Sequence, residues 1–523
     1  MGAASPSNRT DQPVGACNVA VAAARQRLDT HRVESSKRFA AVTVALALFL
    51  GSRATIALIP RHGISDTPVY SLYAFVIRKA SRLGQSPYDL YERVAHSAHG
   101  EPRLRFDQVT IEYPPLALAL MLAPQAGLPD DAGLGAHGKA TLDVAKWARS
   151  FRWLYFAADA ATVIGFLLWS QRRGLGSPWG LAIGTVGGIA LASLLYDRLD
   201  LWVGMVLLGA LGAQVAGRKY VALALLAVAV NLKLVPLLLL PLFLLGALPS
   251  TVLVEGLAKW RALRAGLLAC GVFASVALGL FLPFRLAWGP RVWDFLAYHS
   301  QRGLQIESTW SSILLVAARL GCPVQVVHAF GAGGIAGTAA GFLATASVGA
   351  VLAATFLIYW LIWHAARRSR AAAATRDNRF DLSAAESNPQ AFIWASFAVL
   401  AVAIAGSKVF SPQYLCWFLP GYLLVEQPHS RRGAAAPLAF LLACGLTAVI
   451  FPGLWAELMR PTSSPNATYL LPTLRVTLLL LVRNFVWIGF CVLAVLHMQR
   501  SWWQSSLAKE ANPSHKTKNS IPV

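Results

Sequence analysis

Apolar runs of about 20 residues recur along almost the whole chain, and the breaks between them carry Lys and Arg in small groups. A run of that length can cross a hydrocarbon core as one α-helix, which satisfies every backbone group internally. The 523 residues are 56% hydrophobic and only 13% charged, where an ordinary soluble domain carries roughly 25% charge. The pattern specifies an all-α polytopic membrane protein. A net charge of +22 would suit a nucleic-acid binder, but its cations sit at the ends of apolar runs, as topology signals do. No nucleic-acid partner is expected. Cys17, Cys270, Cys322, Cys416, Cys444 and Cys491 are scattered and form neither a disulfide framework nor a CxxC metal pattern.

Residues 1–38 are polar, with Arg25, Arg27, Arg32, Lys37 and Arg38, and lack an apolar core of their own. They are expected to be a disordered cytoplasmic tail. A first span is expected at 39–59, closed by Pro60, and the basic tail places the segment from Ile64 onward outside. Further spans are expected at 151–169, 179–196 and 201–216, as a tight pair broken at Asn231–Pro236, at 265–283 and 340–364, before Gly406, and then in three last crossings that end at 472–497. Each short loop thus placed inside carries at least two Lys or Arg, provided that the run 114–128 lies at the outer membrane surface as a helix. The count is about twelve spans over a single domain, 39–497, with a first outer loop at 60–150 and a cytoplasmic tail at 498–523. A surface helix is expected near 309–320, and a Gly/Ala-rich linker at 331–341.

Ionisable side chains at the ends of spans are costly and therefore candidates for function. The outer face collects Asp66, Glu112, Asp197, Asp200, Lys233, His299, Arg302, Glu307 and Lys408 from widely separated loops, whereas the inner face offers basic clusters alone. The stretch 64–115 is the densest, with acids set among Tyr70, Tyr73, Tyr88, Tyr91 and Tyr113. Plainer roles stand beside each. Asp66 could cap the helix that begins at Thr67. Glu112 could only orient the surface helix. Lys233 and Lys408 could be snorkelling anchors, His299 and Arg302 ordinary loop residues, and Glu307 a partner of Arg302. Asp197 and Asp200 around Arg198 read as a self-satisfied turn. His96 and His99 have the spacing of a metal pair but no evident third ligand, so no metal is expected. Asn466-Ala-Thr468 is a glycosylation acceptor only in a host that glycosylates. Trp288, Trp293, Tyr298, Trp310, Trp417 and Trp455 read mostly as an interfacial belt.

Several short motifs share that face: Ser65-Asp66 with Tyr70 four residues on, Gly84-Gln-Ser-Pro-Tyr88, Glu112-Tyr-Pro-Pro-Leu116, Leu232-Lys-Leu-Val-Pro236, the stretch from His299 to Ser308, and Ser407-Lys-Val-Phe-Ser-Pro-Gln-Tyr414. Their order resembles glycosyltransferase family 87, polyprenyl-phosphate-dependent membrane enzymes of the GT-C type, often mannosyltransferases. The turn Tyr196-Asp-Arg-Leu-Asp200 departs from it, since a Gly-Gln-type turn is expected in relatives. The resemblance implies a GT-C fold with surface helices in the first outer loop and Asp66 as catalytic base. In inverting glycosyl transfer a carboxylate takes the acceptor hydroxyl's proton as an oxocarbenium-like transition state forms. A phosphate leaving group needs cations rather than a second acid, and Lys233, His299, Arg302 and Lys408 could supply them. Tyr70, Glu112, Tyr113 and Glu307 are then acceptor-binding or structural residues. The expected activity moves a hexose, mannose foremost, from a polyprenyl monophosphate to a glycolipid or glycan acceptor without a cofactor. It would work at the outer face of a bacterial cytoplasmic (plasma) membrane. The alternatives are a flippase or transporter of lipid-linked sugars and a diphosphate-donor glycan ligase.

Overall fold

The computed structural model describes residues 39–59, 65–99, 104–127, 143–171, 178–248, 256–374, 388–428, 430–459 and 471–511. The expected tail at 1–38 and the acceptor Asn466 lie outside these, as does the end of the C-terminal tail; its beginning continues the last helix, Leu474–Ala511. Seven of the described helices are long and apolar enough to cross a membrane: Phe39–Leu58, Val144–Ser170, Trp260–Trp288, Thr338–Ala365, Pro389–Gly406, Arg431–Gly453 and Leu474–Trp502. The protein is predominantly helical and multi-pass.

Four more of the expected spans form shorter apolar helices, Pro178–Ala190, Asp200–Val215, Lys219–Leu232 and Val235–Ala247. The 16 residues of Asp200–Val215 extend about 24 Å, less than the roughly 30 Å of a hydrocarbon core. The expected tenth crossing is not an α-helix. It is a pair of buried 3-10 segments, Pro412–Trp417 and Pro420–Leu424, whose prolines lack the N–H an α-helix interior would use. A Cβ on Gly204 would stand 2.8 Å from the Cys416 carbonyl oxygen, so only glycine lets Asp200–Val215 press against this segment. Around it lies an aromatic core in which Tyr422 meets Phe440 at 4.9 Å and Trp487 meets Phe490 at 5.0 Å between ring centres. Such pairs add to stability beyond the area they bury.

The first outer loop folds into the helices Thr67–Leu83, Pro87–His99, Phe106–Val109 and Pro115–Leu122. The first is capped by Ser65, whose Oγ accepts from the Thr67 N–H at 3.2 Å, and ends at Gly84 in the left-handed region. Pro115–Leu122 and the turn Ala123–Gly127 are too short to cross; Leu118 and Met121 are buried there. Arg291 binds Asp89, Glu92 and Asp294 at 3.0, 2.6 and 3.1 Å, clasping the loop to the chain just beyond the span Trp260–Trp288. Thr309–Ala318 forms the second expected surface helix, with Ser308 as its cap.

An all-α chain is the expectation, yet three strands are present. They are β1 (Leu304–Gln305), β2 (Gln325–Ala329) and β3 (Ala332–Ala336), antiparallel in the order β1-β3-β2. The glycines of 331–341 read as a linker because they carry no strand propensity, but here they serve close packing. Phe330 and Gly331 turn the hairpin with φ of 53° and 65°, the geometry that suits the twist of a two-residue hairpin. The Asp107 carboxylate accepts from the Phe330 N–H at 2.7 Å and fixes that turn to the first outer loop.

Inside the helical body, Arg53 Nε donates to Asp159 Oδ2 at 3.0 Å, with both side chains 2% exposed. Tyr196 donates to the same oxygen at 2.9 Å, and Arg53 Nη2 donates to the Gly184 carbonyl at 2.9 Å. Gly188 lies flush against the guanidinium, leaving no room for a Cβ. Removing one partner of such a pair strands a buried charge and costs about 3–5 kcal/mol. Asp159→Ala should therefore lower the melting temperature in detergent markedly, and Arg53→Met with Asp159→Leu should recover most of it; a double variant no better than the single one would show that the pair is incidental.

Candidate functional site

Five of the six motifs meet at a pocket of charge where the first outer loop, the turn 196–200 and the ends of several helices come together; Gly84–Tyr88 instead packs at the end of the span Trp260–Trp288, with Ser86 Oγ donating to the Trp288 carbonyl at 2.9 Å. Asp66 stands at the entry to the helix Thr67–Leu83, but its side chain makes no capping bond, so the simple capping role does not hold. Its carboxylate is ion-paired to Arg198, with Asp66 26% and Arg198 11% exposed at the side chain. Tyr70 Oη lies 3.3 Å from the same carboxylate and 2.9 Å from Tyr113 Oη. The Tyr70 and Tyr113 rings meet edge to face at 5.5 Å. Asp66 is thus held on one side by a cation and on the other by a pair of buried phenols.

The turn Tyr196-Asp-Arg-Leu-Asp200, expected to satisfy itself, instead grips five separate partners. Tyr196 binds Asp159. Asp197 receives both Arg152 nitrogens, at 2.6 and 3.1 Å, the bidentate geometry that makes such pairs strong. Arg198 takes Asp66. Asp200, with no side-chain exposure, accepts from Lys233 Nζ at 2.7 Å and from Trp417 Nε1 at 2.7 Å. Three charges within a short span of chain read as mutually neutralising; helices that start or end beside the turn supply better partners.

Lys233 comes directly after the last residue of Lys219–Leu232. Its ammonium is neither free nor snorkelling: it is paired with Asp200 and lies 4.6 Å from the Tyr414 ring centre and 5.5 Å from that of Trp417. Burial pulls its basicity down, and the Asp200 carboxylate more than restores it. Trp417, assigned to the interfacial belt, is 2% exposed and belongs to this site. Lys408, after the helix Pro389–Gly406, donates to the Ser300 carbonyl at 2.9 Å, and burial together with the charge of Arg302 lowers its affinity for a proton. Arg302 has no ion-pair partner among the described residues.

His299 is expected to join these as a cation, and the structure corrects that. Burial, reinforced by Arg302 and Lys233, brings its pKa down to about 4, so it is a neutral imidazole at physiological pH. Its ring bonds the backbone of Glu112. Burial raises the Glu112 carboxyl above its usual range, against the pull of Arg302 and Lys233, with Tyr298 and Tyr113 as hydrogen-bond donors. Glu112 therefore stands within electrostatic reach of Arg302 and Lys233 and is not only a handle for its helix.

Glu307 precedes the Ser308 cap and is 2% exposed. Its carbonyl accepts from Arg483 at 2.7 Å and its carboxylate from Gln305 Nε2 at 3.3 Å. Arg483, which sequence reasoning missed, comes from the last span and stacks 3.9 Å from the Phe410 ring. An arginine within an apolar run was the available signal. Burial pushes the Glu307 carboxyl up to about 7, against Arg483, Arg198 and Arg302. Beside the charges opens a narrow cleft, with about 10 Å³ of free space, lined by Ala117, Leu120, Leu199, Trp202, Val203 and Leu232, with Tyr113 and Lys233 at its polar end. No group of three or more metal-ligating side chains exists among the described residues.

Comparison with protein-family models and with curated proteins gives no match for this chain.

The raised Glu307 carboxyl ties stability to pH. Its neutral form is preferred in the folded state, so its contribution is complete below about pH 4.5 and is lost as pH rises through about 7. Glu307→Gln should be more stable than the native chain at pH 8, by up to about 3 kcal/mol, with the difference vanishing near pH 5. Thermal melts across that window check it, and a pH-independent difference would place the carboxyl elsewhere.

Proposed function

We propose that the protein is a GT-C type glycosyltransferase with about twelve crossings. It would move a hexose, mannose foremost, from a polyprenyl monophosphate to a glycolipid or glycan acceptor at the outer face of a bacterial cytoplasmic membrane. The observation that carries this reading is the juxtaposition of one carboxylate, Asp66, with an excess of buried and half-buried cations at the end of an apolar cleft. Arg198, Lys233, Arg302, Lys408 and Arg483 gather with Asp66, Glu112, Asp200 and Glu307. At pH 7 Glu307 is about half protonated and His299 is neutral, so positive charge is left over. A phosphodiester donor brings one negative charge and leaves with two, so such a site stabilises the leaving group more than the substrate, which is what accelerates a reaction.

Asp66 takes the proton of the acceptor hydroxyl as that oxygen attacks the anomeric carbon. The C–O bond to phosphate breaks on the opposite face, giving inversion. Tyr70 and Tyr113 orient the base, and the prenyl chain lies in the cleft between Leu120, Trp202 and Leu232. A transporter of lipid-linked sugars is the second reading, favoured by the buried Arg53–Asp159 pair, since intramembrane charges often mark translocation paths. That pair, however, is tied to Tyr196 and the Gly184 carbonyl, as a structural pair would be.

Asp66→Asn should reduce transfer from a radiolabelled polyprenyl-phosphate sugar by about 10³-fold or more while the protein remains folded; an active variant removes the assignment. Transfer should also persist in EDTA, because the cations needed are side chains; strict dependence on added divalent metal would favour a diphosphate donor.

A further inference from the structure

In the resting site the proposed base is occupied. Arg198 is paired with Asp66, and a carboxylate so engaged is a poor proton acceptor until its partner withdraws. Arg198 is the cation paired with the base, and its own hydrogen bonding is incomplete. Its neighbours along the chain are fixed, Asp197 by Arg152 and Asp200 by Lys233 and Trp417, so the backbone presenting it is rigid. The guanidinium itself has one ion-pair partner among the described residues, and its Nε is buried without any hydrogen-bond partner. Lys233 is committed to Asp200, and Arg483 gives one nitrogen to the Glu307 carbonyl. Glu307 lies within electrostatic reach of both Arg198 and Arg302.

We propose that Arg198 is a phosphate-binding residue that masks Asp66 while the site is empty and is drawn off by the donor's phosphate. This deepens the glycosyl-transfer reading and rests on it. The exchange is one ion pair for another: the guanidinium leaves the carboxylate for the phosphate oxygens, presenting its unused Nε–H edge, and Asp66 becomes free to accept a proton. Because the partner that releases the base is the donor itself, the carboxylate is not available to activate an acceptor in the donor's absence. A bidentate guanidinium suits phosphate, and the hydrogen bond its Nε now lacks is regained in the process.

Binding, read apart from turnover, tests the exchange. A short-chain polyprenyl monophosphate is titrated into the full-length protein in detergent, with tryptophan fluorescence as readout. Arg198→Gln should weaken binding by about tenfold or more, and Arg198→Lys less. Asp66→Asn should tighten it several-fold, since Arg198 then has no resting partner to leave, and the gain should vanish when Arg198→Gln is added. An arginine that only props the fold gives no such coupling. Equal affinity in the native chain and Arg198→Gln, or a gain in Asp66→Asn that survives loss of Arg198, overturns the masking role while leaving the donor assignment intact. Failure of the native chain to bind the lipid phosphate at all overturns the donor assignment itself. If Arg198→Gln does not fold, the Arg198→Lys and Asp66→Asn titrations decide the matter, with Asp66→Asn combined with Arg198→Lys in place of the double variant.

Discussion

The five-residue turn from Tyr196 to Asp200 is the constraint on which the rest of the site depends. It sits between two helices shorter than the usual hydrocarbon thickness, and its polar side chains reach the helix Val144–Gln171, the first outer loop and Lys233. Tyr196 joins it to the Arg53–Asp159 pair inside the helical body, Asp197 to Arg152, and Asp200 to Lys233 and Trp417. Charges of this kind persist in a low-dielectric interior only when fully matched. Matching them locks three helices, the outer loop and a 3-10 segment into one register. The proposed base is positioned as a by-product of that matching.

The same economy explains why the neighbouring groups have such different protonation behaviour. His299 and Glu307 are both deeply buried, and burial favours the neutral form of each. In His299 the surrounding cations push the same way, whereas in Glu307 they push back. The outcome is an imidazole without charge and a carboxyl near neutrality, within one cluster of arginines and lysines. An anion entering this cluster meets an environment already short of negative charge.

Much of this was legible in the chain. Apolar run length located the long spans, since length and hydropathy alone decide whether a helix can cross. Polar residues at the ends of those runs located the site, because charge survives near hydrocarbon only where it is paired or working. What could not be read was partnership. Arg198 between two aspartates looks self-contained, and nothing local reveals that Arg152, Lys233 and Asp66 are closer. Trp417 looks like a belt residue until the 3-10 turns carry it inward to Asp200. The strands escaped notice because Gly333 and Gly334 serve close packing against Met459 and Leu304, a tertiary reason that strand propensity does not record.

The shortness of the helices flanking the cleft has a consequence for the surrounding lipid. A bilayer that matched hydrophobic segments such as Lys219–Leu232 and Asp200–Val215 would thin locally. Thinning on that flank brings the headgroup layer down toward Lys233 and Tyr113, so a long-chain lipid entering sideways would travel a shorter distance before its polar end met the protein. The geometry of the entrance would then be set as much by the membrane's deformation as by the walls of the cleft, and lipids that resist thinning would slow entry without touching a single side chain.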